Sequence, residues 1–185
     1  MTVRVVALVI VAALLLPMPI DAGKKHNHHR RENRPVMFVE DYTAPAWDGV
    51  IAETVADFNA VMPKRGPRLV YVRKPHVACA PAPTTTVCSG ILGVGTAGLA
   101  YVTGGGGRIA LNDLYAFPED SAGFPALACH ELMHILADVG DNYGAFPSAS
   151  CVWGYLSDPG PKDVELLRAR YGGDKDKKHD RRKKR

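Results

Sequence analysis

Residues 130–134 read His-Glu-Leu-Met-His, a stretch whose residue types and spacing together specify a reaction. On an α-helix, side chains four apart share a face, so the imidazoles of His130 and His134 can converge on one ion. Zinc takes histidine nitrogen at about 2 Å and, in hydrolytic sites, keeps one position open for water. Glu131 lies about 100° round the helix from His130, off the metal-binding face but within reach of that water. Its carboxylate is the expected general base for attack of water on a peptide carbonyl. The plain alternative is a surface histidine pair on an ordinary helix.

The helix carrying this pattern is expected over residues 125–139, with Pro125 suited to its first turn. Upstream, residues 36–40 read as a strand, and residues 47–61 follow a helical period. Trp47, Val50, Ile51, Val55, Phe58 and Val61 form its stripe, Asp48 sits in its first turn and Pro63 stops it. Residues 68–73 (Arg-Leu-Val-Tyr-Val-Arg) read as a second strand. A Gly-rich stretch over residues 90–107 contains the strand-like Leu99-Ala100-Tyr101-Val102, and Gly104 to Gly107 are expected as a flexible turn into Arg108-Ile109-Ala110-Leu111-Asn112. No Gly-Lys-Ser/Thr follows those glycines, so a hairpin is favoured over a phosphate loop. A last helix is expected over residues 161–171, closed by Gly172 and Gly173. The order β-α-β-β-β-α-loop-α implies an α+β domain.

The N-terminus reads as an export signal. Arg4 supplies the positive end, residues 5–16 are an unbroken apolar run, and Ala22 is a small residue to cleave after. The run falls short of the about 20 residues a membrane span needs, so a signal peptide over 1–22 and a secreted or extracytoplasmic product are expected. An uncleaved anchor is the alternative; after cleavage no membrane attachment is expected. A basic, His-containing linker over 23–34 would then lead into a domain over 35–173 and a basic tail, disordered by composition, over 174–185. Residues 24–34 carry five Lys/Arg against one acid, residues 175–185 eight against two, and residues 35–174 nine against fifteen. An acidic body is thus bracketed by two basic arms. Those arms suit contact with a polyanion, though no specific nucleic-acid motif is present and solvated tails are the plainer reading. His26, His28 and His29 fall in the first arm, where a solvated linker is the default. Four cysteines in an exported chain suggest two disulfides, for which Cys79–Cys88 and Cys129–Cys151 is the natural pairing.

With these residues in place, the stretch from Val36 to Gly172 resembles the metzincin metallopeptidases, closest to small bacterial snapalysin-like enzymes with some matrixin character. The motif His130-Glu131-Leu132-Met133-His134 carries most of the likeness. The Leu166-Leu167-Arg168-Ala169-Arg170-Tyr171-Gly172 ending is similar to the C-terminal helix of matrixins. Gly98 to Val102 and Arg108 to Asn112 resemble the family's substrate-binding edge strand and its neighbour. The resemblance implies a mixed twisted sheet, an active-site helix and a C-terminal helix. It also implies that Leu99, Ala100, Tyr101 and Val102 pair with an antiparallel peptide, which is β-augmentation in physical terms.

Two departures from the family pattern stand out. Where the family has a helix-ending glycine and then a third ligand, this chain has Ala137 and Gly140. Asp141, in Asp141-Asn142-Tyr143, is one residue late and looks like the snapalysin third ligand after a turn at Gly140. Asp138 and Glu165 remain alternatives, although on a continuous helix Asp138 would sit about 12 Å along the axis from His130. The methionine beneath the metal is also missing from Ser150-Cys151-Val152-Trp153-Gly154-Tyr155, leaving Val152, Trp153 or Leu156 to form an apolar floor. Tyr155 is a candidate oxyanion donor, a packed tyrosine being the plainer reading. The expected protein is a monomeric, exported zinc endopeptidase acting on protein or peptide. Its ligands would be His130, His134 and Asp141, with Glu131 as base. A degenerate relative that binds without cutting, and a polyanion-binding protein, are the alternatives.

Overall fold

The computed structural model describes residues 34–77, 84–104, 106–115, 123–142, 146, 148–154 and 156–172. They form an α+β arrangement of five strands and three α-helices. In chain order these are β1 (Val36–Tyr42), α1 (Val50–Val61), β2 (Arg68–Arg73), β3 (Thr85–Gly90), β4 (Gly98–Thr103), β5 (Gly106–Asn112), α2 (Gly123–Ala137) and α3 (Pro161–Tyr171). The signal expected over 1–22, all but Arg34 of the linker expected over 23–34, and the tail expected over 174–185 lie outside the described residues, as do Cys79, Tyr143 and Tyr155. No helix among the described residues is long and apolar enough to cross a membrane.

The strands form one sheet in the order β2-β1-β3-β5-β4, in which β4 alone runs antiparallel to its neighbour. Alternation decides which face carries the helices. Val39, Leu69, Val87, Ile109 and Leu111 point to one side and join a single buried cluster with Trp47, Phe58, Leu132, Leu136 and Leu167. Burying side chains of this size stabilises the fold by about 1.5–3 kcal/mol each.

Four expectations need correction. Residues 85–90 form a central strand that was not expected. Thr85 to Ser89 are buried on both faces, so no in-out alternation advertises them. Gly106 and Gly107 belong to β5 rather than to a turn, pairing with Thr103 and Val102, and they are glycine because a Cβ there would strike Thr85 or Ile135. The first helix starts at Val50, not Trp47. Trp47 lies in a 3-10 turn, Pro45–Trp47, separated from α1 by Gly49 at φ +85°. There it is fully buried, donates from Nε1 to Asp113 at 2.9 Å and meets Phe124 edge-on. Residues 123–137, not 125–139, form the motif helix.

The two sheet edges are treated differently. At β2 the Asn59 amide reaches from α1 and bonds both backbone groups of Leu69, each at 2.9 Å, covering that edge. At β4 the Asn112 N–H to Ala97 carbonyl bond, 2.9 Å, sets the alternation of an antiparallel ladder. Leu99 and Tyr101 therefore turn their peptide groups toward β5, and Gly98, Ala100 and Val102 turn theirs outward. Those outward groups have no partner among the described residues. Asn112, fully buried, fixes the approach to this edge by donating to the carbonyls of Gly93 and Thr96 at 2.7 and 2.6 Å.

Candidate metal centre

Helix α2 stops after Ala137 because Asp138 turns left-handed at φ 58°, a conformation that short polar Asp tolerates better than most residues. The turn is therefore made at Asp138 and not at Gly140, whose φ is not positive. Asp138 faces α3, where its carboxylate pairs with Arg170 at 3.6 Å, and it is not part of the site. Glu165 is exposed and pairs with Lys162 at 3.0 Å on the same helix. The chain beyond Asp138 doubles back and brings Asp141 over the histidines.

His130 Nε2 and His134 Nε2 lie 3.0 Å apart, and Asp141 Oδ1 lies 3.2 and 3.3 Å from them. Tetrahedral coordination with bonds of about 2.0–2.1 Å separates neighbouring ligand atoms by about 3.3 Å. The three donors therefore have the spacing of one face of such a polyhedron, and together they could hold a metal ion.

Their tautomers agree with this. His134 Nδ1 faces the Val139 carbonyl at 2.7 Å, and His130 Nδ1 faces the Cys151 carbonyl at 3.3 Å. A carbonyl only accepts, so each ring places its proton on Nδ1 and presents Nε2 as a lone pair. Two lone pairs and a carboxylate oxygen this close repel one another unless a proton or a metal cation lies among them. Burial, and then the neighbouring His134, hold the His130 imidazole below its ordinary pKa.

Glu131 is buried beside the cluster, only 4% exposed. Burial, reinforced by the Asp141 charge, pushes its carboxyl up to about 8. Above it runs β4. A Cβ on Gly98 would overlap Glu131 Oε1, so the carboxylate packs directly against the edge-strand backbone. A cavity of about 260 Å³ opens here, lined by Gly98, Ala100, the three donors and Glu131. Leu99, Tyr101 and Val102 are exposed along the same strand.

The support behind the histidines comes from residues 150–163. Cys151 is bonded to Cys129 and Cys88 is also in a disulfide, while its expected partner Cys79 lies outside the described residues. Asp163, fully buried, accepts from Ser150 Oγ at 2.6 Å, the Cys151 amide at 2.7 Å and the Gly160 amide at 2.8 Å. Trp153 Nε1 donates to the Gly140 carbonyl at 2.8 Å, steadying the turn that carries Asp141. Val152 is fully buried in the core.

Sequence reasoning missed the roles of Gly98 and Asp163. An acid at the third position of α3, after Gly160-Pro161, is a helix-start signal for Asp163, but its reach to Cys151 is tertiary. Gly98 reads in the sequence only as the start of the edge strand, and nothing in the chain marks its contact with Glu131. No protein-family model matches this chain, and no curated protein is significantly similar to it.

Proposed function

We propose that this chain is an exported zinc endopeptidase. The observation that supports it most is the 3.0–3.3 Å triangle of His130 Nε2, His134 Nε2 and Asp141 Oδ1 beside a buried glutamate. His130, His134 and Asp141 are the ligands, and zinc suits a set of two imidazoles and one carboxylate. When bound, zinc supplies Lewis acidity toward the substrate carbonyl and the attacking water. Glu131 takes a proton from that water and passes it to the leaving amine nitrogen. Gly98, Ala100 and Val102 offer outward peptide groups to an extended substrate, holding the scissile carbonyl beside Glu131. The metzincin resemblance agrees with an antiparallel edge strand packed on the motif helix.

Protein purified without chelator should carry about one zinc per chain. It should cleave an unstructured protein, with loss on chelation and recovery on adding zinc. Glu131→Gln should keep the metal and lose cleavage. Absence of metal, or undiminished cleavage by E131Q, would remove this reading.

A further inference from the structure

We propose that Arg108 forms, with Tyr101, a subsite that selects an acidic side chain in the peptide laid along β4. The inference rests on the peptidase reading above and names the substrate class it would prefer.

Arg108 on β5 and Tyr101 on β4 are direct cross-strand partners, so their side chains share the sheet face opposite the helices. The guanidinium carbon lies 4.5 Å from the centre of the Tyr101 ring. Tyr101 is 48% exposed at the open edge. Arg108 is partly buried, and its fully buried Nε has no hydrogen-bond partner among the described residues. Among the described residues it has no ion pair. Across the sheet in the same row, Thr86 neighbours Arg108 and Glu40 neighbours Thr86, but Glu40 pairs with Lys74 at 3.4 Å. A guanidinium that has given up part of its water without gaining a carboxylate is poorly solvated, and a bidentate acid is its best-matched partner.

An added peptide strand would supply one. The peptide residue facing Tyr101 shares this sheet face, about two strand spacings (roughly 10 Å) from the Arg108 Cα. An Arg and a Glu side chain reach that far between them, with Tyr101 packing on their methylenes. The peptide runs antiparallel to β4, so this residue precedes the one facing Gly98 by three positions. Gly98 lies against Glu131, which puts the acidic residue on the N-terminal side of the bond attacked. The folded body carries nine basic and fifteen acidic residues over 35–174. The basic arms would draw acidic peptides without regard to position, so a preference for Glu at one position only would have to come from a cation fixed beside that position.

The test is a peptide series with Glu, Gln or Lys scanned through the positions N-terminal to the cut, measured as kcat/KM on the zinc-loaded full chain. At one position Glu should exceed Gln by about fivefold and Lys by more, with the excess shrinking as salt rises. Arg108→Gln should bring the Glu/Gln ratio to about one. If that variant misfolds, Arg108→Lys, which keeps charge but loses the fork, should lower the ratio, and the salt dependence of the unaltered protein needs no variant. Cleavage with no position favouring Glu, or a Glu preference that survives Arg108→Gln, overturns the subsite while leaving the peptidase reading intact. A protein that holds no zinc and cuts no peptide removes both.

Discussion

The amide of Cys151 donates to Asp163 at 2.7 Å, while the carbonyl of the same residue faces His130 Nδ1 at 3.3 Å. One residue thus stands between the start of α3 and the first metal-binding imidazole, and a disulfide ties it to Cys129 at His130's own shoulder. Asp163→Ala would leave the Ser150 hydroxyl and two backbone amides buried without an acceptor. Denaturant unfolding of the metal-free protein should show a loss of about 3 kcal/mol or more. Zinc affinity should fall as well, since His130 loses its rear support. Asp163→Asn, which retains an acceptor oxygen, should cost less on both counts. A variant as stable as the parent would contradict this role.

Gly98→Ala places a methyl where Glu131 Oε1 sits. The three atoms nearest that methyl all belong to Glu131 and none to a ligand, so metal content should be unchanged while kcat falls at least tenfold through displacement of the base. Zinc analysis beside steady-state kinetics separates the two. Full turnover by G98A would show that the carboxylate can work from another position.

Reduction of Cys129–Cys151 opens a loop that encloses both histidines and Asp141, with a sequence separation of 22. Closing such a loop is worth about 3 kcal/mol in the chain-entropy model. The main sheet does not depend on it, so zinc should leave at reductant concentrations below those that abolish the far-UV signal. Simultaneous loss of both signals would argue against this order.

Glu131 gives a pH signature in chelator-treated protein. Its carboxyl is pushed up to about 8 in the fold, against an ordinary value of 4.5 in the open chain. Between those values the unfolded state releases a proton that the folded state keeps. This contribution is therefore most favourable below pH 4.5 and is lost as pH rises toward 8, at up to about 1.4 kcal/mol per pH unit. Melting of the metal-free protein should decline across that window, and the decline should be absent in Glu131→Gln. Saturating zinc should flatten it by favouring the charged form. A flat profile in the unsubstituted, metal-free protein would contradict this.

Local pattern determined much of this protein. Two histidines at i and i+4 need only a helix to face one ion, and the helix signals around residues 161–171 and the β-branched and aromatic run between Arg68 and Arg73 gave those elements to the residue. Other features are properties of space. Thr85 to Ser89 are a strand because neighbours cover both faces, which the residues do not announce. Asp141 rather than Asp138 reaches the histidines because the chain turns left-handed one residue after α2 ends, and Arg170 draws Asp138 away. The third ligand was therefore ambiguous in the sequence, where three acids lay within reach of the turn or the next helix. Gly98 against Glu131, and Asp163 behind Cys151, join segments more than ten residues apart. Such contacts follow from how the sheet edge and α3 pack on the motif helix, and no local spacing encodes them.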